Sequence, residues 1–351
     1  MIKKVLFLYS ELSVYTINCI NYFAVKNSEV SIYIVHWDIN KEAPFILNFD
    51  SSVFAFKKKE INLLSLLKKV EPDLILCSGW LDKEYINVIK HHKNSFSTVL
   101  LFDNYWEDTL RQKLGSFIFK NTIKKFFDFC WVPGDIHLKY ASKLGFNKEN
   151  IFFGFYATNL DFFNRFYKKN INSTIPKKFF YVGRYLKLKG VQELWDAFLK
   201  FSEKFPDWEL NCIGSGELFE SKTLHPKIIH HGFVQQNELD LFLKSKGVFI
   251  MPSHFDHWGV AVQEFSSAGM PLILSDKVGS GCAFLQDGKN GFSFIANNTD
   301  DLLDKMIQIA ELPQKKLCKF GIVSHELSNL YNLSTWNNTL INIINKSCRY
   351  D

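Results

Sequence analysis

Two cations follow a short apolar run near the middle of the chain. In FFYVGRYLKLKG, residues 179–190, Arg184 and Lys189 come after a run that ends at Gly183, and a helical pattern follows. Glycine lets the backbone turn sharply where a strand ends. Two cations beside the N-terminus of a helix form a site for a diphosphate. The alternative is an ordinary surface loop in a lysine-rich chain.

Two carboxylates lie in FDHWGVAVQEFSSAGMP, residues 255–271, which follows the apolar run GVFIMPS. Asp256 lies in the loop after that run, and Glu264 lies inside the helical pattern that Gly259 opens. The exposed amides of a helix N-terminus favour anions. One segment therefore offers carboxylates for sugar hydroxyls and amides for phosphate. The alternatives are a loop acid or helix cap for Asp256, and a helix-surface acid for Glu264.

Glycine turns follow three further apolar runs on the same expected edge. They are Gly214-Ser215-Gly216, Gly232-Phe233-Val234 and Gly279-Ser280-Gly281. Glycines at such turns permit close approach of the backbone to a nucleotide. A turn also needs glycine for its own geometry, so each turn alone is weak evidence for a ligand.

Short apolar runs alternate with amphipathic stretches along the whole chain. The predicted strands are Lys4–Tyr9, Val30–His36, Val53–Phe56, Leu74–Cys77, Thr98–Phe102, Phe129–Val132 and Ile151–Phe153, then Phe179–Val182, Glu209–Ile213, Ile228–Gly232, Gly247–Met251, Pro271–Ser275 and Gly291–Phe294. Predicted helices include Ile61–Lys69, Asp82–His91, Gly190–Phe205, Asn237–Lys244, Gly259–Ala268, Thr299–Glu311 and Asn329–Lys346. Such alternation predicts an α/β fold with parallel sheets covered on both faces.

The alternation occurs twice, which predicts two Rossmann-like domains whose sheets face each other across a cleft. We expect an N-terminal domain over residues 1–168 and a C-terminal domain over residues 177–325. A final helical segment, 326–351, is expected to pack back on the N-terminal domain. The polar stretch Tyr167–Lys178, closed by Pro176, is the predicted linker. Ligands in such sheets bind at the carboxyl ends of the strands.

Composition narrows the class of protein. The seven cysteines are scattered without a CxxC pair, and Cys77, Cys130 and Cys212 lie in or beside apolar runs, which predicts buried free thiols and no metal site. The net charge of +6 falls wholly in residues 1–170, which carry 23 basic and 17 acidic residues. The opening apolar run is too short for a signal peptide. These features predict a cytoplasmic protein, at most peripheral to a membrane, with no nucleic-acid partner.

The residues 179–295 resemble the donor domain of retaining glycosyltransferases of the GT-B fold, family 4 (group 1 glycosyltransferases). The matching segments are VGRYLKLKGVQELWDAF, LNCIGSGEL, HHGFVQQNELDLFLKSKGVFIMPS, FDHWGVAVQEFSSAGMPLILSD and FLQDGKNGFSF, in order and at similar spacing. The resemblance implies a hexosyltransferase that needs no cofactor and takes a UDP- or GDP-linked sugar as its substrate. The N-terminal half matches only in its strand and helix pattern.

The resemblance also implies roles for individual residues. Arg184 and Lys189 would hold the donor diphosphate, Glu264 the ribose hydroxyls, and Asp256 the donor sugar. Backbone at Gly259 and Val260 would contact sugar and phosphate, and Val234 the base. Gly183, Gly214 and Gly216 would let the nucleotide approach the backbone.

The chain departs from the family pattern at several places. Asp256 stands where the family has glutamate, so the donor sugar stays open. YSELSVYTIN replaces an N-terminal glycine-rich loop. LLFDNYWED places Asp103 near the position of a family histidine, where it would contact donor sugar or acceptor; the alternative is a helix or turn cap. His36, His91, His92 and His137 are expected to be structural or exposed.

The segment Arg111–Phe127 mixes lysines with large apolar residues. Such a segment either packs against a core or lies on a membrane. The expected acceptor is a carbohydrate or lipid-linked saccharide of bacterial surface polysaccharide synthesis, with contact to the membrane through the basic N-terminal half. Two other interpretations stay open, a nucleotide-sugar epimerase on the same architecture and a non-catalytic nucleotide-sugar-binding protein.

Overall fold

The computed structural model describes residues 3–41, 44–92, 95–170 and 174–347. Within these residues the chain forms two compact units, each built around one parallel β-sheet. The first unit contains the chain up to Asn40, Pro44–Thr158 and the end of the chain from Tyr331. The second consists mainly of Asn159–Leu330. The predicted fold class, two parallel α/β sheets, is therefore confirmed.

Seven strands form the sheet of the first unit. They are β1 (Lys4–Tyr9), β2 (Ser31–His36), β3 (Val53–Lys57), β4 (Leu74–Ser78), β5 (Ser97–Leu101), β6 (Phe129–Trp131) and β7 (Ile151–Phe152). Their order across the sheet is β3-β2-β1-β4-β5-β6-β7, and each neighbouring pair is parallel. Strands β2 and β3 thus lie on one side of β1, and β4 to β7 lie on its other side. The strand order therefore reverses between β1 and β4.

Helices cover both faces of this sheet. They are α1 (Val14–Lys26), α2 (Leu63–Val70), α3 (Lys83–His91), α4 (Leu110–Thr122), α5 (Leu138–Lys143) and the final helix, α13 (Leu333–Ser347). Alternate residues of β1 enter different cores: Phe7 packs on the side of α1 and α13, and Leu6 packs on the side of α2 and α3. This alternation explains why the strands are apolar at consecutive positions.

The final helix belongs to the first unit because Trp336 anchors it there. The indole is 1% exposed and lies 4.9 Å from the ring of Trp131 and 6.5 Å from that of Phe7, centroid to centroid. Its Nε1 donates to the carbonyl of Phe155 at 3.0 Å. The chain therefore returns to its first sheet after completing the second.

Six strands form the sheet of the second unit. They are β8 (Lys178–Val182), β9 (Glu209–Ile213), β10 (Ile228–His230), β11 (Val248–Met251), β12 (Leu272–Ser275) and β13 (Gly291–Phe294). The order is β10-β9-β8-β11-β12-β13, again parallel throughout. In terms of chain order this is 3-2-1-4-5-6, the order of dinucleotide-binding sheets. The corresponding reversal lies between β8 and β11.

Seven helices accompany the second sheet. They are α6 (Leu160–Asn170), α7 (Val191–Lys204), α8 (Asp240–Leu243), α9 (Val260–Ser267), α10 (Gly281–Phe284), α11 (Thr299–Glu311) and α12 (Gln314–Ser328). Phe179 of β8 packs against Phe201 of α7, whereas its neighbour Phe180 packs against Phe265 of α9 on the opposite face. The predicted helix Asn237–Lys244 is replaced by a one-turn 3-10 helix, Gln236–Glu238, and the short α8.

The predicted linker Tyr167–Lys178 begins inside α6. The ring of Tyr167 stacks on His325 with centroids 3.6 Å apart, and a Cβ on Gly269 would lie 2.5 Å from the same ring. This packing holds α6 in the second unit, so the N-terminal part of the first unit ends at Thr158 and not near residue 168. Residues 171–173, the middle of the predicted linker, lie outside the described residues.

The solvent exposure of individual side chains tests two further predictions. Cys77, Cys130 and Cys212 are buried free thiols, as predicted. The core-facing interpretation of Arg111–Phe127 is wrong for most of its apolar residues in α4. Phe119 is buried there, but Leu114, Phe117 and Ile118 are exposed.

Candidate functional site

The loops after β8 and β11 flank the place where the second sheet reverses its strand order. The two strands pair directly, with Phe179 opposite Val248. Because their following helices lie on opposite faces, the loops diverge and leave a crevice at the carboxyl ends of the strands, where ligands bind in such sheets. Lys189 ends a one-turn 3-10 helix, Lys187–Lys189, in the first loop, and Asp256 lies in the second.

Lys189 and Asp256 form an ion pair. The Nζ of Lys189 lies 2.6 Å from Oδ2 of Asp256, and the two side chains are only 19% and 11% exposed. An ammonium group has three donors, so Lys189 is able to hold Asp256 and a phosphate oxygen at the same time. The pair therefore places one cation and one carboxylate at the same point of the crevice.

Backbone contacts fix the loop that carries Asp256. Its amide donates to the carbonyl of Lys277 at 3.0 Å, and its carbonyl accepts from the amide of Gly279 at 3.0 Å. A Cβ on Gly279 would lie 2.1 Å from the carbonyl oxygen of His257. The glycine turn after β12 is thus required by the close approach of two loops.

A second set of backbone contacts joins the loops after β8, β9 and β10. The amide of Gly183 donates to Ile213, and the amide of Gly214 donates to Gly232 at 2.7 Å. A Cβ on Gly214 would lie 1.9 Å from the carbonyl oxygen of Gly183. At Gly216 a Cβ would lie 2.9 Å from the carbonyl oxygen of Tyr185. These glycines are therefore needed for the packing of the three loops against one another. A ligand would contact only the part of their surface that these loop contacts leave exposed.

Arg184 follows directly in this loop and is half-buried. Its carbonyl accepts a hydrogen bond from the hydroxyl of Tyr181 at 2.8 Å. Burial raises the pKa of Tyr181 well above its usual value, so this phenol remains a neutral donor. The backbone of Arg184 is thereby held at the end of β8.

The loop after β11 is also tied to the 3-10 helix that carries Lys189. The amide of His254 donates to the carbonyl of Leu188 at 2.9 Å. The His254 ring lies against α7, with Nε2 3.0 Å from a carboxylate oxygen of Glu193. No feature of the sequence had indicated this pair, since the two residues belong to different predicted elements.

Helix α9 begins at the same edge. Gly259 is its N-cap, and Val260 is its first residue. The first amides of a helix have no partner within it and carry partial positive charge. One turn further along, Glu264 is buried, and its Oε1 accepts from Nε2 of Gln236 at 2.5 Å. Sequence reasoning expected a partner for this buried charge but did not find Gln236.

Gln236 lies in the 3-10 helix after β10, two residues beyond Val234. The contact therefore joins the loop that carries Val234 to the helix that carries Glu264. The residues that the family resemblance connects with base and ribose are thus on adjoining segments of the second unit.

Asp103 belongs to the first unit. Its Oδ2 accepts from the hydroxyl of Tyr156 at 2.9 Å, and its carbonyl oxygen lies 2.7 Å from Nε2 of His137. Burial raises the pKa of Tyr156, which keeps the phenol protonated as a donor. The alternative role as a helix cap is wrong for α4, whose N-cap is Thr109. His137 is buried, as expected of a structural histidine.

The reversal of strand order in the first sheet carries hydroxyl groups that the sequence had not singled out. Ser10 follows β1 and Ser78 ends β4, and their Oγ atoms lie 3.0 Å apart. The same sheet carries an ion pair at its carboxyl edge: Nζ of Lys58, directly after β3, lies 2.6 Å from Oδ2 of Asp82, and the two side chains are 22% and 6% exposed. The carboxylate of Asp82 also caps α3, where it accepts from the amides of Glu84 and Tyr85.

The described residues contain neither a cluster of metal ligands nor a membrane-spanning helix. Among residues 3–41, 44–92, 95–170 and 174–347, no cluster of three or more His, Cys, Asp or Glu side chains is arranged to hold a metal ion. Within the same ranges, no helix has both the length and the apolar character that crossing a bilayer requires.

Comparison with known sequences matches residues 163–321 to the model of the family described as "Glycosyl transferases group 1". Alpha-monoglucosyldiacylglycerol synthase of Acholeplasma laidlawii is 31% identical over 141 residues, which are 38% of this chain and 34% of the synthase. Lipopolysaccharide 1,6-galactosyltransferase of Salmonella typhimurium is 23% identical over 84% of this chain and 80% of that enzyme. The chain thus spans only about a third of the first relative's length and most of the second's.

A solved structure of Alr3699/HepE from Anabaena, in complex with UDP and glucose, is similar to this chain. The similarity covers 98% of this chain and 100% of the Anabaena chain. It has a TM-score of 0.71 at 13% sequence identity, which demonstrates a shared fold. The chain thus has the GT-B fold, and its residues 163–321 match the group 1 glycosyltransferases, enzymes that take the sugar from a nucleotide-sugar donor.

Proposed function

We propose that the chain transfers a sugar, with retention of anomeric configuration, from a nucleoside diphosphate sugar to a hydroxyl of a carbohydrate or lipid-linked saccharide. One observation carries this proposal. The ion pair between Lys189 and Asp256 lies at the β8/β11 crevice, with Glu264 buried on the helix that follows. Retention is inferred from the family, because no contact in the site specifies the stereochemistry.

Each polar group has a distinct proposed role. Lys189 and Arg184 bind the diphosphate and stabilise the negative charge that develops on it as the bond to the sugar breaks. Asp256, held in place by its ion pair with Lys189, accepts hydrogen bonds from the donor sugar. Glu264 accepts hydrogen bonds from the ribose, with Gln236 fixing one of its oxygens. Asp103 remains a candidate for contact with sugar or acceptor.

The backbone completes the proposed donor site. The first amides of α9, at Gly259 and Val260, are directed by the helix geometry toward the carboxyl edge of the sheet and favour phosphate or sugar oxygens. Val234 offers its backbone to the base. The turns proposed to surround the nucleotide contain glycines, whose lack of a side chain leaves room for it. These glycines are Gly183, Gly214 and Gly216.

The names of the relatives support a finer proposal. The Anabaena structure holds UDP and glucose, which favours a UDP-linked donor. The Salmonella relative is named as a lipopolysaccharide galactosyltransferase, and the Acholeplasma relative as a synthase of a glucosylated diacylglycerol. We therefore place the reaction in bacterial surface polysaccharide synthesis (lipopolysaccharide, capsule or exopolysaccharide), at the cytoplasmic face of the membrane.

Thermal unfolding in the presence of nucleotides tests the donor site. A ligand that binds only the native state at a hundredfold excess over its Kd stabilises it by about 2.7 kcal/mol. We expect UDP, or GDP if the base is guanine, to raise the melting temperature of the second unit. The matched monophosphate is expected to give a clearly smaller shift, because it lacks the phosphate that Lys189 would bind.

Two outcomes would contradict the proposal. One is equal stabilisation by the diphosphate and the monophosphate, which would remove the diphosphate contact. The other is isomerisation of a nucleotide-sugar incubated with the chain alone, because a transferase leaves the donor's sugar configuration unchanged until an acceptor is present.

A further inference from the structure

We propose that the ion pair between Glu193 and His254 positions Lys189 for the donor diphosphate and makes that positioning depend on pH. The inference rests on the proposed function, because Lys189 is the cation assigned above to the diphosphate. It adds two positioning residues, neither of which contacts the nucleotide in that proposal. Every residue concerned lies in the second unit.

The segment that carries Lys189 packs directly against the loop after β11. Gly190, the N-cap of α7, has a φ of 63°, and a Cβ there would lie 2.1 Å from the carbonyl oxygen of Pro252. One residue before Lys189, the carbonyl of Leu188 accepts from the amide of His254 at 2.9 Å. These contacts hold the two backbones together, so the positions of the side chains depend on further contacts between the same segments.

Two ion pairs supply those further contacts. The Nζ of Lys189 lies 2.6 Å from Asp256, and Nε2 of His254 lies 3.0 Å from Glu193, each measured to a carboxylate oxygen. The segment at the start of α7 supplies a cation and then an acid, and the loop after β11 supplies the partner of opposite charge in each case. The pair of Glu193 and His254 therefore holds the two segments together next to the contact that fixes Lys189.

The contact between Glu193 and His254 depends on charge more than on a directed hydrogen bond. The Nε2 of His254 is shielded from solvent and is aligned with no hydrogen-bond acceptor among the described residues. A nitrogen lone pair would be repelled by a carboxylate oxygen at 3.0 Å, so Nε2 carries a proton in this arrangement. Of the other charged groups on the two segments, Lys189 and Asp256 pair with each other, and Lys187 is exposed.

This dependence on charge gives the pH dependence its direction. Histidine side chains gain and lose their charge between about pH 5 and pH 8. A protonated His254 ring attracts the carboxylate of Glu193, whereas a neutral ring keeps only a weak polar contact. We therefore expect the pair to hold Lys189 more firmly at the acid end of that range than at the alkaline end.

Calorimetric titration of UDP at about pH 6 and about pH 8 tests the inference, with GDP used instead if it gives the larger thermal shift. Glu193→Gln keeps the size of the side chain and removes its charge. It should weaken binding about threefold at the lower pH, the effect of one partly exposed ion pair, and less than about 1.5-fold at the higher pH. Comparing variant and unchanged chain at the same pH cancels the ionisation of the nucleotide. An equal effect at the two pH values would show a structural role only and would overturn the inference.

His254→Gln separates the charge from the contact. The glutamine amide is able to donate to Glu193 but stays neutral. This variant should bind UDP like the unchanged chain at about pH 8 and about threefold more weakly at about pH 6. Asp196→Asn is the matched control, because Asp196 is exposed on the same helix and its replacement removes the same charge. The control should bind like the unchanged chain at both pH values.

A double variant shows whether the pair acts through Lys189. In a Lys189→Ala background, Glu193→Gln should change the Kd by less than about 1.5-fold at either pH, because the cation that the pair positions is absent. A full threefold loss in this background would overturn the inference. If Lys189→Ala does not weaken binding, or if neither nucleotide binds, the proposed donor site fails and this inference with it. If Lys189→Ala weakens binding and Glu193→Gln has no effect at about pH 6, this inference alone fails.

Discussion

A Lys189→Ala variant is expected to bind UDP about ten- to a hundredfold more weakly than the unchanged chain. A hydrogen bond to a charged group contributes about 1.5–3 kcal/mol, and about 1.4 kcal/mol corresponds to a tenfold change in Kd. The contact is only partly screened by water, because Lys189 is mostly buried beside Asp256. Removing the ammonium also leaves the carboxylate of Asp256 to repel the incoming diphosphate. Calorimetric titration of UDP into both proteins measures the effect, with GDP used instead if it gives the larger thermal shift.

Lys187→Ala is the matched control. Lys187 belongs to the same one-turn 3-10 helix, but its side chain is exposed. Its loss removes the same charge from the same loop, so an affinity close to that of the unchanged chain is expected. Equal weakening by both variants would show that general positive charge, and not the position of Lys189, governs binding. An unchanged Kd for Lys189→Ala would remove Lys189 from the donor site.

Replacing Trp336 with alanine is expected to lower the free energy of unfolding of the first unit by about 3–5 kcal/mol. The indole is fully enclosed between Phe7, Phe23 and Trp131, so its removal leaves a large cavity in the core. The change also leaves the carbonyl of Phe155 without the hydrogen bond that it accepts from the indole. The loss should detach α13 from the sheet before the rest of the unit unfolds.

Urea denaturation followed by circular dichroism measures this change. Because the chain has two units, the transition that shifts must be assigned to the first unit, and a UDP-dependent transition would mark the second. Ser334→Ala, at an exposed position on the same helix, is the control and should change the stability by no more than about 0.5 kcal/mol. A change of that small size for Trp336→Ala would mean that α13 contributes little to the fold.

Much of the fold follows from local sequence pattern. The strands Lys4–Tyr9, Glu209–Ile213 and Gly291–Phe294 have the predicted bounds. In the first two of these strands a mainly apolar run ends at Ser10 and at Gly214, and parallel strands buried on both faces require such runs. The double alternation of strands and helices then predicts two parallel sheets without reference to any contact between distant residues.

Helices whose packing depends on distant residues were harder to predict. The polar end of α6 gives it the composition of a linker, and only the stacking of Tyr167 on His325 shows what holds it. In α4 the apolar residues suggested a core-facing helix, yet the buried face is formed by Ser116 and Phe119. Periodicity shows which residues share a face, but it does not tell which face the rest of the chain covers.

The candidate site was also predicted only in part from the sequence. Motif position led to Lys189 and Asp256, and the structure brings these two residues, 67 positions apart, into contact. The contact between Glu264 and Gln236 had no signal in the sequence, because a single glutamine after a turn has no distinctive spacing. The ligand-binding roles of all the site residues stay predictions, as does the cleft between the two sheets.

A crystal structure of the chain with the nucleoside diphosphate that stabilises it most is the most direct test of the central claim. The account predicts diphosphate oxygens within hydrogen-bond distance of Nζ of Lys189, and ribose hydroxyls at the carboxylate of Glu264. A nucleotide bound instead at the carboxyl edge of the first sheet, near Ser10 and Ser78, would contradict it.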